Sequence, residues 1–117
     1  DGKIEQLTED HSLANDLIRA KALRPEDLDA FPYKNVIVRA LGLQAQVQVD
    51  SFYRSARPGD RYLLCSDGLS DLVKNGRIGE ILGAHPGPEA AAEALTEEAM
   101  DAGGNDNITV LVVDLAE

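Results

Sequence analysis

The sequence predicts an α+β domain of mainly antiparallel strands with helices packed on the sheet. Three observations carry this expectation. The elements run strand, helices, three strands, helices, strand, so hairpin-like neighbours and segregated helices stand where a doubly wound parallel sheet would alternate. The apolar run Tyr62-Leu63-Leu64-Cys65 is too short for a helix and lies between breakers, Pro58-Gly59-Asp60 before it and Asp67-Gly68 after it, which predicts a buried core strand. Ile108-Thr109-Val110-Leu111-Val112-Val113-Asp114-Leu115 is rich in β-branched residues and predicts a second buried strand.

In chain order, Asp1-Gly2 is a favoured hairpin turn pair, followed by the alternating strand Lys3-Ile4-Glu5-Gln6-Leu7. A turn with no partner strand before it suggests a truncated chain. Thr8-Glu9-Asp10-His11-Ser12 offers helix caps ahead of 13–20, where Leu13, Leu17 and Ile18 mark one face. His11 is expected to be a surface histidine near that helix start. Pro25-Glu26-Asp27-Leu28 opens a second short helix, with proline and acids in the first turn, and Pro32 stops it. Residues 35–41 return to a strand ending at Gly42; Arg39 within it needs a carboxylate or carbonyl partner, and an ion pair is expected.

After Gly42, Val47, Val49 and Phe52 alternate with Gln46, Gln48 and Asp50, the pattern of a half-exposed strand. Residues 69–73 are expected to make a helical turn. A helix beginning at 77–82 is ended by Gly83 and Pro86. The clearest helix is 88–100, with Pro88 in its first turn and Ala91, Ala94, Leu95 and Ala99 on one stripe that packs closely on the sheet.

Composition bounds the function. The 117 residues suffice for one domain with a core. A net charge of -10 argues against a nucleic-acid partner, which calls for Lys/Arg clusters. The single cysteine, Cys65, excludes an intramolecular disulfide and suits a reducing compartment. Within an apolar strand, with no basic neighbour and no glycine-rich phosphate cradle, it is expected to be an inert buried thiol. No run approaches a membrane span and no signal peptide is visible, so a cytoplasmic location is expected.

The residues with chemistry are two aspartates at strand ends. Asp67 follows one strand, and Asp106, in Gly103-Gly104-Asn105-Asp106-Asn107, precedes the other. If the strands are antiparallel neighbours, both carboxylates reach the same edge of the sheet. There they repel unless a cation lies between them or one keeps its proton. Fixed oxygen donors suit Mg²⁺ and Mn²⁺. The competing reading is that Asp-Gly is a common turn pair whose aspartate caps its own backbone.

Four motifs in order resemble the C-terminal half of a metal-dependent protein serine/threonine phosphatase of the type 2C family. They are Leu7-Thr8-Glu9-Asp10-His11-Ser12, Asn35-Val36-Ile37-Val38-Arg39-Ala40-Leu41-Gly42, Leu63-Leu64-Cys65-Ser66-Asp67-Gly68-Leu69-Ser70-Asp71 and Gly103-Gly104-Asn105-Asp106-Asn107-Ile108-Thr109-Val110. The resemblance implies part of a layered α-β-β-α sandwich, with 1–117 as the C-terminal portion of one phosphatase domain and a flap-like helical excursion at about 11–35. It implies Mn²⁺ or Mg²⁺ held by aspartates, activating a water that attacks phosphoserine or phosphothreonine. By motif position Asp67 and Asp106 are the metal aspartates of this half, and Asn35 stands near the flap ligand of a third ion. Asp71 could reach the site from its turn, or could serve as a helix cap or surface residue.

The family's phosphate-binding arginine, Glu-Asp pair and Asp-Gly metal bridge have no counterpart in the sequence. The chain is therefore expected to lack the N-terminal half of the fold, to need that half or another chain to complete it, and to be inactive alone. The implied substrate is a phosphoprotein, with a cognate serine/threonine kinase as candidate partner. The alternative is a phosphatase-like binding or regulatory module without catalysis.

Overall fold

The computed structural model describes residues 2–33 and 36–116. Asp1 of the expected turn pair and Asn35 of the expected strand and flap lie outside the described residues. The chain divides into two compact units, one of Asp1–Glu5 with Arg54–Glu117 and one of Gln6–Tyr53.

The larger unit is built on a strand pair. Pro58 fixes φ at the second position of the turn Arg57-Pro58-Gly59-Asp60, and Gly59 supplies φ 91° at the third. The Asp60 amide donates to the Arg57 carbonyl at 3.0 Å, closing the turn. It delivers β1 (Arg61–Cys65), which pairs antiparallel with β2 (Val110–Asp114), Arg61 opposite Asp114 and Cys65 opposite Val110. Between them come three helices: α2 (Asp67–Ser70), α3 (Asn75–Ala84) and α4 (Pro88–Asp101). Proline begins α4, where its missing N–H costs nothing. Gly103 and Gly104 end it, their amides donating to the Met100 and Ala99 carbonyls at 3.2 and 3.1 Å in the paired bonds of a Schellman motif.

The core lies between the helices and one face of the strand pair. Leu69, Val73, Ile78, Ile81, Leu95 and Ala99 are buried together, with Leu63, Ile108, Val110 and Val112 packed against them. The alternation of a strand then directs Leu64 and Leu111, which pair across the ladder, to the opposite face. Both are more than half exposed, at 57% and 54%. The expectation of buried strands is corrected accordingly: among the described residues helices cover one side of the pair and no second layer covers the other. Cys65, on the last rung of β1, is likewise exposed, which corrects the expectation of a buried thiol.

Three further expected strands do not form among the described residues. Residues 3–7 and 46–52 join no ladder, and the described part of 35–41 makes only isolated bridges, Ser12 with Ile37 and Leu41 with Gln44. A period-2 pattern marks residues able to line a sheet, but a strand also needs hydrogen-bonded neighbours. Val49 and Phe52 are 76% and 49% exposed, with no sheet beside them among the described residues. The helices did follow their signals: α1 (Leu13–Arg19) is capped by the Ser12 hydroxyl, which accepts from the Asn15 amide at 3.2 Å, and a 3-10 helix spans Pro25–Ala30.

Within this smaller unit the Arg39 guanidinium, 21% exposed, pairs with Asp50 at 3.0 Å, as expected for a charge inside an apolar run. His11 bonds the other oxygen of the same carboxylate at 2.7 Å. Hydrogen bonds from His11 first, and then Arg39, hold the Asp50 carboxyl below its ordinary value. Asp10 plays no part in that pair.

Arg61 ties the strand pair to the helical layer. Its guanidinium meets both oxygens of Asp114 at 2.5 and 2.7 Å and donates to the Leu82, His85 and Pro86 carbonyls, where α3 gives way to α4. Hydrogen bonding to Arg61 holds the Asp114 carboxyl below its ordinary value of 3.8, against partial desolvation. A depressed folded-state pKa gives stability that is complete above the unfolded value and lost as the pH falls through the folded one. Thermal melts should therefore show the protein losing stability below about pH 4 more steeply than an Asp114→Asn variant does. Parallel slopes for the two would show the pair to contribute nothing.

Candidate metal centre

The site is assembled by two chain segments that leave the same end of the strand pair. β1 ends at Cys65 opposite Val110, the first residue of β2, so residues 66–68 and 106–109 meet at one edge. The Ser66 amide donates to the Thr109 carbonyl at 3.0 Å, extending the ladder past the last rung. The Ser66 hydroxyl donates to the Asn107 carbonyl at 3.1 Å and accepts from the Thr109 amide at 3.0 Å. Gly68 lies so near the facing segment that an added Cβ would fall 2.1 Å from the Asn107 carbonyl oxygen. Only glycine allows this approach.

Asp67 and Asp106 are each one residue before that contact, Asp67 ahead of Gly68 and Asp106 ahead of Asn107. Both are exposed. One Asp106 oxygen, Oδ1, accepts from the Asn107 amide at 2.7 Å, which fixes the carboxylate relative to its own backbone. No described side chain bonds the Asp67 carboxylate. The two carboxylates expected at one sheet edge are thus at one sheet edge. Asn35, the third candidate, lies outside the described residues. Asp71 follows α2 and is exposed.

The donor set suits a hard divalent cation in kind, since carboxylate oxygens on a fixed backbone match Mg²⁺ or Mn²⁺. In number it is incomplete. Among the described residues no group of three or more His, Cys, Asp and Glu side chains gathers to hold a metal. Two carboxylates alone leave most of an octahedral shell to water or to other ligands.

Sequence reasoning treated Gly68 as a turn residue and passed over Ser66. Gly68 in fact lies inside the first turn of α2, buried, and serves close approach rather than a positive φ. A serine directly before a strand-end aspartate was the available signal for Ser66. Its partners come from more than 40 positions away, which a local pattern does not reveal.

Comparison with known proteins defines the class first. The structure superposes on that of the Mycobacterium tuberculosis serine/threonine phosphatase PstP/Ppp with a TM-score of 0.93 and 41% identity, covering 100% of this chain and 49% of that one. A PstP catalytic domain described in complex with two manganese ions matches with a TM-score of 0.82 and 39% identity, covering 100% of this chain and 47% of that one. The fold is thus a partial α+β phosphatase fold. In sequence, the serine/threonine phosphatase stp of Listeria innocua is 41% identical over 111 residues, 95% of this chain and 44% of that protein. No protein-family model matches. The chain is a homologue of the bacterial serine/threonine phosphatases of the type 2C class, and it spans about half the length of the curated relatives it matches. Among the described residues no helix is long and apolar enough to cross a membrane.

Proposed function

We propose that this chain is the C-terminal portion of one protein serine/threonine phosphatase domain, with a flap-like excursion at about 11–35, and that Asp67 and Asp106 are its ligands for Mn²⁺ or Mg²⁺. The observation that supports the proposal is the close approach of the two backbone segments that bear these carboxylates, where 66–68 touch 106–109. Asn35 is the proposed ligand of a further ion, on the resemblance of its motif alone. The substrate is phosphoserine or phosphothreonine in a cytoplasmic phosphoprotein, formed by a serine/threonine kinase.

Divalent ions held by such carboxylates supply charge neutralisation and a nucleophilic water at neutral pH. The residues of this chain orient rather than react. The end of β1 aims Asp67 outward, and the Asn107 amide fixes Asp106. Gly68 keeps the two backbones that bear these carboxylates close together. No side-chain nucleophile is required, and the exposed Cys65 is given no role in the chemistry.

The test is hydrolysis of p-nitrophenyl phosphate and of a phosphothreonine peptide by the full-length polypeptide that carries this chain. Chelation with EDTA should reduce both rates to background, and excess Mn²⁺ should restore them. Hydrolysis that persists after chelation overturns the proposed metal chemistry. No hydrolysis at any Mn²⁺ concentration assigns the fold to a non-catalytic binding module instead.

A further inference from the structure

We infer that Ser66 is a positioning residue whose hydroxyl sets the spacing of Asp67 and Asp106, a role that rests on the metal-centre reading above. Ser66 stands at the N-cap of α2, where a serine hydroxyl ordinarily accepts a hydrogen bond from an amide in the first helical turn. Here it makes no such bond. The hydroxyl turns instead to the opposite segment, donating to the Asn107 carbonyl at 3.1 Å and accepting from the Thr109 amide at 3.0 Å. Both hydrogen-bonding functions of the side chain are used across the gap between the two aspartate-bearing segments, at the expense of the local cap.

The coupling to the carboxylates is short. Ser66 is covalently joined to Asp67. On the other side it grips the carbonyl of Asn107, and the amide of that same residue holds Asp106 Oδ1 at 2.7 Å. One hydroxyl therefore links the backbone of one carboxylate to the residue that orients the other. Removing it takes away the side-chain partner of the Asn107 carbonyl and the Thr109 amide, both on residues at the surface, and leaves the Ser66 amide bond to the Thr109 carbonyl in place. The fold is then retained while the distance between the carboxylates is loosened, and a cation needing fixed ligand geometry binds less well.

The experiment compares the full-length polypeptide with Ser66→Ala, Ser66→Thr and Asp67→Asn variants, at a temperature where circular dichroism finds all of them folded. Mn²⁺ affinity is read by titration calorimetry and by the electron paramagnetic resonance of free Mn²⁺, and kcat is read at saturating Mn²⁺. Ser66→Ala should weaken Mn²⁺ binding by about tenfold with kcat at saturation within about twofold, and Ser66→Thr should bind as the parent does. A Ser66→Ala variant that binds Mn²⁺ like the parent, while Asp67→Asn binds poorly, overturns the role of Ser66 and leaves the metal centre intact. Unchanged binding in Asp67→Asn overturns the metal centre itself and the inference with it. Loss of binding in Ser66→Thr equal to that in Ser66→Ala overturns the assignment to the hydroxyl.

Discussion

Asp67→Asn in the full-length polypeptide is expected to reduce Mn²⁺-dependent phosphate-ester hydrolysis by about a thousandfold or more at fixed Mn²⁺, with no change in the thermal midpoint measured in EDTA. The size follows from what is removed. Metal-centred charge stabilisation is worth several kcal/mol of transition-state energy, and each ~1.4 kcal/mol is a factor of ten in rate. The amide keeps the shape of the carboxylate and one oxygen, but it lacks the charge that draws a hard cation. Stability should be indifferent, because the Asp67 side chain is exposed and no described side chain bonds it. Asp106→Asn should act in the same direction, and the double variant should lose little more than either single one, since ligands of one centre act as a unit. Hydrolysis rates with p-nitrophenyl phosphate, beside melting curves, check both points. An Asp67→Asn rate equal to the parent's removes Asp67 from the centre.

The placement of Asp67 and Asp106 at one end of the strand pair was legible in the sequence because it depended on few things: two strands, each bounded by turn residues, and an antiparallel register between them. The Pro58-Gly59-Asp60 turn and the β-branched run after Asn107 are strong local signals, and β1 and β2 follow them. The helix from Pro88 onward was equally clear, since proline at its start and a small apolar stripe at Ala91, Leu95 and Ala99 fix both its end and its buried face. The remaining strands were not legible in this way. Val47, Val49 and Phe52 carry the period of a strand, but the hydrogen-bonded neighbour that makes one belongs to tertiary structure, and 46–52 have none among the described residues.

Burial failed for a related reason. Leu64 and Leu111 are as apolar as Leu63 and Val112, so the sequence does not distinguish the covered side from the open one. What distinguishes them is the direction of the pleat and the presence of helices on one side. Arg61 marks the covered side better than any apolar residue does. It shares that face with Leu63, and it reaches the carbonyls at the end of α3, so a charge in the first strand position signals where the helical layer lies.

Gly68→Ala is expected to be among the most damaging substitutions in the chain, and its cause is steric. The added Cβ would lie 2.1 Å from the Asn107 carbonyl oxygen and 2.9 Å from its carbon, both backbone atoms. Restoring an ordinary van der Waals distance requires one segment to move by more than an ångström. Neither moves freely: α2 is pinned by Leu69, which has no exposed surface, and the facing segment is continuous with β2. Overpacking against such fixed surroundings costs about 3 kcal/mol. The movement also pulls Asn107 from the Ser66 hydroxyl and carries Asp106 away from Asp67, so Mn²⁺ binding should fall with stability.

Gly76→Ala supplies the matched control. Gly76 also lies in a helix, in the first turn of α3, but nothing stands within 4 Å of its added Cβ. Alanine there limits the freedom of the unfolded chain without meeting a neighbour, and should stabilise by about 0.5 kcal/mol. Chemical denaturation of the two variants measures the difference directly. Opposite signs at Gly68 and Gly76 identify the backbone approach at the candidate centre as the cause. A Gly68→Ala variant as stable as the parent would mean that the two aspartate-bearing segments do not touch, and the paired-carboxylate centre would lose its geometric basis.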